Sequence, residues 1–247
     1  MPAIAVTQLE KVYRGSDTPA VSGLDLSVET GEIVGLLGPN GAGKTTTLSI
    51  LCGLLRATRG SVRIQDIDVT RHPGRVKPLI GLVPQDVALY PRLTARENLT
   101  FFARMHGLRG DVLKQRVGEC LSLMGLERDA GRQIAVFSGG MKRRANLAAG
   151  LVHKPPILIL DEPTVGIDTQ SRHMVFENLR ELNRAGTTII YATHYMEEAE
   201  HLCARVVIID EGKVLKEGPP SQLIDEQPGC ESLDQVFLEL TGRHLRD

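Results

Sequence analysis

Residues 38–45 read Gly-Pro-Asn-Gly-Ala-Gly-Lys-Thr and fit the pattern G-x-x-x-x-G-K-[ST]. Glycines let the backbone wrap closely, so successive N–H groups can point at phosphate oxygens. Lys44 then brings a point charge to the β- and γ-phosphates of a nucleotide, and the Thr45 hydroxyl offers a ligand to Mg2+. The pattern carries this meaning only between a buried strand and a helix. Here the apolar run Ile33–Leu37 precedes it and helical spacing through Thr46–Leu55 follows it. The helix N-terminus adds a dipole that favours an anion.

A second acidic feature closes the run Ile157-Leu158-Ile159-Leu160. Four apolar residues bury a strand, and Asp161 and Glu162 stand at its carboxyl end, the end that faces the ligand crevice of an open parallel sheet. Asp161 is the expected partner of Mg2+, through water, and Glu162 is placed to polarise a water. The plainer alternative for Glu162 is a solvated surface acid. Between these two features lies Ser138-Gly139-Gly140. Ser138 suits the N-cap of the helix that follows. The glycines leave that helix start bare, so its N–H groups and the Ser138 hydroxyl can contact a phosphate. Alone, the same three residues would be only a capped helix with a flexible entry.

These residues need a particular frame. Strands are expected at Ala3–Leu9, around Leu24, Leu26 and Val28, at Ile33–Leu37, around Val62 and Ile64, and at Ile80–Val83, where Pro84 stops the run. Helical spacing then covers Thr94–His106, Asp111–Met124 and Ser138–Val152, with Leu99, Phe102 and Ala103 on one face. Strands and helices alternate afterwards: Ile157–Leu160, Ser171–Asn183, Thr187–Thr193, Met196–Cys203 and Val206–Ile209. Such alternation implies βαβ units and a parallel sheet. The chain thus reads as one domain. Residues 1–88 and 153–217 form a nucleotide-binding core, 89–152 an inserted helical part, and 218–247 a short tail with an amphipathic helix through Leu233, Val236, Phe237 and Leu240.

Composition narrows the classes. With 29 Lys+Arg against 30 Asp+Glu, the 247-residue chain lacks the cationic surplus of a nucleic-acid binder. Aromatic residues are too few, at 4%, for a base-stacking platform. No apolar run approaches the ~18 residues of a membrane span, and the start of the chain shows no basic-then-apolar leader. A cytoplasmic protein is expected. Cys52, Cys120, Cys203 and Cys230 are far apart and read as buried small hydrophobes. His72, His106, His153, His173, His201 and His244 show no ligand pattern. Lys142-Arg143-Arg144 reads as a solvated helix face or as charge beside a phosphate.

In order along the chain, GPNGAGKTT, FSGGM followed by KRR, and ILILDEPT resemble the ATP-binding cassette (ABC) ATPases, over essentially the whole length. The resemblance implies an α/β fold: a P-loop NTPase core with a mostly parallel sheet, an antiparallel β subdomain and an inserted α-helical subdomain. It implies ATP and Mg2+ as cofactors. Gln85, after Ile80–Pro84, matches the family's glutamine loop. Asp168 in VGIDT matches the loop that touches the opposing subunit. His194, after TTIIYAT, matches the switch histidine, and Tyr13 matches the aromatic that stacks on adenine. Carried over residue by residue, Glu162, His194, Lys44 and Gln85 are catalytic. Tyr13, Gly38, Pro39, Asn40, Gly41, Ala42, Gly43, Lys44, Thr45, Thr46, Ser138, Gly139, Gly140 and Asp168 bind nucleotide, and Thr45, Gln85 and Asp161 attend the metal. In the bland alternatives, Gln85 is a strand-end polar residue, His194 caps a helix, and Asp168 is an N-cap.

Two motifs depart from the family pattern. Phe137 and Met141 flank SGG where LSGGQ is usual, and Thr169 follows Asp168 where GLDP is usual. The segments FSGGMKRR, ATHYMEEAE and LDQVFLELTGR resemble bacterial exporters of drugs, antibiotics and related hydrophobic molecules. The resemblance implies a separate membrane permease as partner and a place on the cytoplasmic face of the membrane through it. It also implies a head-to-tail dimer with itself or a second cassette, each Ser138 loop completing the other subunit's site, and no nucleic acid. An importer ATPase, a cassette acting on ribosomes or DNA, and a P-loop kinase are the rival readings. Leu89 and Tyr90 are expected either to line a groove for a permease helix or to tuck into the helical core.

Overall fold

The computed structural model describes residues 2–242; His244 and the end of the 218–247 tail lie outside them. The chain opens with β1 (Pro2–Lys11), β2 (Val21–Glu29) and β3 (Ile33–Leu37), then α1 (Lys44–Leu51). Next come β4 (Arg59–Ile64), β5 (Ile67–Asp68), a single turn α2 (Pro73–Val76) and β6 (Ile80–Val83). Three helices follow, α3 (Ala95–Met105), α4 (Gly110–Leu123) and α5 (Gly139–Leu151). Alternation resumes with β7 (Ile157–Asp161), α6 (Thr169–Arg184), β8 (Thr188–Thr193), α7 (Met196–Leu202) and β9 (Arg205–Asp210). The hairpin partner β10 (Lys213–Gly218), α8 (Pro220–Asp225) and α9 (Leu233–Thr241) complete it.

Two sheets result. The larger has the order β10-β9-β3-β8-β7-β6, with every pair parallel except β10 on β9. The smaller, β2-β1-β4-β5, is antiparallel throughout. Side-chain alternation along the central strands splits the core in two. Leu158, Leu160, Ile189, Tyr191, Val206 and Ile208 face the helical side. Ile157, Ile159, Ile190, Ala192, Val207 and Ile209 face the antiparallel sheet and α1. Both faces of the parallel sheet are covered, so β7 and β8 read as unbroken buried runs. Each fully buried Leu or Ile there is worth ~1.5–3 kcal/mol, enough to hold the polar strand ends that carry the site.

Local chemistry explains where elements begin and stop. Thr94 and Glu97 form a reciprocal capping box that starts α3. The helix after residue 45 begins two residues earlier than expected and ends at Leu51, because Cys52 closes it and Gly53 turns at φ +67°. β10 escaped the sequence reading because its polar residues alternate on an exposed edge.

Cys52, Cys120 and Cys203 are buried, but Cys230 is only half-buried. Leu89 and Tyr90 part company. Leu89 joins the helical core at 8% exposure, so its assignment to a permease groove is corrected to the core reading. Tyr90 is exposed and packs edge-on against Phe101 at 5.0 Å between ring centres.

Candidate functional site

The loop at residues 38–43 leads from the buried end of β3 into α1. Gly43 is the N-cap of α1 at φ +103°, and a Cβ there would lie 2.4 Å from the Ala20 carbonyl oxygen. Only glycine fits that turn. The turn drives Lys44, the first residue of α1, inward to 5% exposure. Its Nζ donates to the carbonyls of Gly38 at 2.7 Å and Pro39 at 3.1 Å, and stands 3.5 Å from Glu162 Oε1. Burial pushes the Lys44 pKa down, and the neighbouring Glu162 charge opposes that shift.

β7 ends in Asp161, buried at 4% exposure. Burial raises its pKa, and a hydrogen bond from Thr45 works the other way. Its Oδ1 has no hydrogen-bond partner in the protein. A buried carboxylate oxygen without a partner is costly. A divalent cation held between Thr45 and Asp161 would satisfy it, so these two residues fit the Mg2+ expected from the sequence.

Glu162 turns the chain out of β7 at φ +48°, a left-handed conformation uncommon for a side chain of this size. Its N–H donates to the Ala192 carbonyl of β8 at 2.9 Å, which holds the turn. The carboxylate is 4% exposed, so the solvated-acid reading is corrected. Gln85 Nε2 donates to Oε2 at 3.1 Å, and His194 Nδ1 lies 3.0 Å from Oε1 but off the line of a hydrogen bond. Lys44, Gln85 and His194 therefore converge on one carboxylate from three different elements. Gly41, Lys44, Thr45, Thr46, Gln85 and Glu162 all line one open cleft. Tyr13 is exposed, and its hydroxyl lies 3.1 Å from Thr46 Oγ1.

Ser138-Gly139-Gly140 and Asp168 are outside that cleft. Ser138 caps α5 by accepting from the Met141 N–H at 3.2 Å. Asp168 caps α6 by accepting from Ser171 N at 2.9 Å and Ser171 Oγ at 2.8 Å. Gly140 backs onto that same serine: a Cβ would come within 2.4 Å of Ser171 Oγ. Ser138, Gly139 and Asp168 are exposed. Met141 is half-buried and packs on the helical core, which gives an apolar residue a place at this position.

Sequence reasoning missed the residues that hold the Gln85 loop. Asn146 of α5, 3% exposed, donates to the Pro84 carbonyl at 3.2 Å and accepts from Ala88 N at 3.1 Å. Arg143 donates to the Gln85 carbonyl, and Arg144 to the Met124 carbonyl at 2.5 Å at the end of α4. The basic run is thus half-buried, with Arg143 and Arg144 bonded to backbone carbonyls, which corrects the solvated-face reading. The available signal was Asn146, a lone amide among Ala145, Leu147, Ala148 and Ala149 on a buried helix.

The family described as ABC transporter matches residues 21–165. The linearmycin resistance ATP-binding protein LnrL of Bacillus subtilis (strain 168) is 47% identical over 221 residues, covering 90% of this chain and 70% of that protein. The Nod factor export ATP-binding protein I of Burkholderia pseudomallei (strain 1710b) is 44% identical over 227 residues, covering 92% and 74%. Among solved structures, an ATP-binding subunit of an ABC transporter superposes with a TM-score of 0.87 at 30% identity, covering 97% of this chain and 99% of that one. A dimeric ATP-binding cassette in a post-hydrolysis state with ADP and phosphate gives 0.81 at 29% identity, covering 87% and 98%.

Proposed function

Since the chain belongs to the ABC transporter family, we propose that it is the ATP-hydrolysing subunit that powers export of drugs, antibiotics or similar hydrophobic compounds through a separate membrane permease. The observation that carries the catalytic part is the convergence of Lys44, Gln85 and His194 on the buried carboxylate of Glu162. The similarity to resistance and export proteins supports the direction of transport.

In this reading, Lys44 exchanges its bonds to the Gly38 and Pro39 carbonyls for oxygens of the β- and γ-phosphates. Glu162 takes a proton from the attacking water, and Gln85 orients that water and reports on the γ-phosphate. His194, whose Nδ1 is unaligned, donates to the γ-phosphate. Tyr13 stacks on adenine beside Thr46. Mg2+, held by Thr45 and Asp161 with Gln85 nearby, would neutralise phosphate charge. Catalysis is then positioning plus charge stabilisation. Ser138, Gly139, Gly140 and Asp168 act on the nucleotide of the facing subunit in a head-to-tail dimer. The exposure of Ser138, Gly139 and Asp168 outside their own cleft supports this, as do the dimeric cassettes among the structural neighbours.

The permease contact is assigned to a groove between the nucleotide core and the helical part, with Leu54, Leu82, Ala88, Phe102 and Met105 along it. Leu54 and Met105 are 65% and 69% exposed, unusual for large apolar side chains. His106 and His153 stack there with ring centres 3.6 Å apart. Burial lowers both pKa values, His153 to about 4, so the stack is neutral near pH 7 and suits an apolar helix. Asn146 lines this groove and also fixes the Gln85 loop, which links docking to the γ-phosphate. Attachment to the cytoplasmic face of the membrane follows through the permease; among the described residues no helix is long and apolar enough to cross a bilayer.

The test is co-purification with the native membrane partner, followed by ATPase assays with a panel of hydrophobic antibiotics. Stimulation by at least one supports export, and stimulation only with an external solute-binding protein overturns it. The double variant Leu54→Glu/Met105→Glu is expected to lose at least ~tenfold in permease capture, the worth of ~1.4 kcal/mol. Nucleotide affinity measured in parallel separates loss of docking from loss of fold.

A further inference from the structure

Beside the catalytic residues lies a second buried polar cluster that the cycle described above does not use. Glu198 of α7 is 2% exposed. Its carboxylate accepts from Thr164 Oγ1 at 2.8 Å on both oxygens, from the Tyr191 hydroxyl at 2.8 Å, and from Thr193 Oγ1 at 3.2 Å. The Arg172 guanidinium lies 3.3 Å from Oε1. Tyr191 is fully buried, and burial beside the Glu198 charge drives its pKa well up, which keeps the phenol a donor.

The donors come from the segments that carry the catalytic residues. Thr164 is two residues beyond Glu162. Thr193 immediately precedes His194 and also accepts from Tyr195 N at 3.0 Å, so both sides of the histidine are tied to one hydroxyl system. Arg172 stands in the first turn of α6, where its N–H bonds the Asp168 carbonyl at 3.0 Å. Its guanidinium also lies 5.9 Å from the Tyr195 ring, which packs on His194 at 4.0 Å. A buried carboxylate with four partners is a strict geometric demand: each donor must point at it or be left unsatisfied.

We infer that Glu198 is a positioning residue that fixes Glu162, His194 and the Asp168 loop relative to one another, so that docking of a second subunit at Asp168 sets the distance between base and switch. This rests on the roles assigned to those three residues above. Glu198 is not among the residues that line the cleft of Lys44, Gln85 and Glu162. Its effect passes through Thr164 to the Glu162 turn, through Thr193 to His194, and through Arg172 to the dimer-facing loop.

The experiment uses the full chain with Glu198→Gln, which keeps shape but turns an acceptor pair into one acceptor and one donor. Tyr191→Phe, which removes one hydroxyl and keeps the ring, serves as the second variant. Steady-state hydrolysis is read as kcat and KM, with ADP affinity and melting temperature alongside. The expected result is a fall in kcat of at least ~tenfold for Glu198→Gln, within the ~10²-fold that an ångström of misplacement costs. Tyr191→Phe should show a smaller fall in the same direction, with KM and ADP affinity within about twofold of wild type. In a Glu162→Gln background, adding Glu198→Gln should also lower the ATP-bound dimer fraction. Wild-type kcat in both variants, or a loss carried by KM alone, overturns the inference. If Glu198→Gln does not fold, Tyr191→Phe decides. Failure of the underlying site reading is distinct: there Glu162→Gln alone would turn over normally.

Discussion

Glu162→Gln is expected to cut ATP hydrolysis by ~10²–10⁴-fold, the usual worth of a positioned general base, while ATP still binds. The substitution is close to isosteric, so Gln85 and Lys44 keep a neighbour of the same shape. Chemistry stops after the nucleotide is bound, and the closed two-subunit state accumulates. Size-exclusion chromatography with Mg-ATP at micromolar protein reads this directly, as a shift from monomer to dimer absent with ADP. A variant that stays monomeric, or hydrolyses at the wild-type rate, removes Glu162 from the role of base.

The second large effect is at Lys44. Its Nζ is buried among carbonyl oxygens and the Glu162 carboxylate. Lys44→Ala therefore removes the ammonium that contacts that cluster, and loss of measurable turnover with strongly weakened ATP binding is expected. Mixing makes the test sharper. Ser138→Arg leaves Lys44 and its cleft intact but puts a bulky cation on an exposed helix cap, where the facing subunit's nucleotide is proposed to sit. Alone, it should bind ATP and fail to dimerise. In an equimolar mixture with Lys44→Ala, one composite site of the heterodimer carries both lesions and the other carries neither. Activity should reappear on mixing, measured as phosphate release against each variant alone. A mixture as silent as its two components, or a Ser138→Arg variant that is fully active alone, would falsify sharing of the site between chains.

How much of this was legible in the sequence depends on what each residue has to do. Runs such as Ile157–Leu160 have to be buried on two faces, so their pattern survives in one dimension. Caps are equally local: Ser138, Thr94 and Asp168 bond N–H groups three residues on, which sequence displays without folding. The P-loop is legible because Gly, Lys and Thr act within one turn. The burial of Glu162 was not, because it is created by strands and loops more than seventy positions away in Gln85 and thirty away in His194. Nor was the work of Arg143, Arg144 and Asn146, whose partners are backbone carbonyls of the Gln85 loop and α4. Tyr90 and Leu89 show the limit most clearly. They are adjacent in sequence, similar in character and opposite in burial, and only the packing of α3 and α5 separates them.

The left-handed turn at Glu162 has a consequence for variation at this position. A residue with a Cβ held at φ +48° stores backbone strain of ~1–2 kcal/mol, and the fold keeps it through the bond to Ala192. Glycine would relieve that strain, yet it would leave Lys44 Nζ and Gln85 Nε2 facing no carboxylate, and losing one partner of a buried charge pair costs ~3–5 kcal/mol, more than the turn stores. The strained side chain is therefore kept by the lysine it neutralises, and heat resistance and turnover ask for the same residue here.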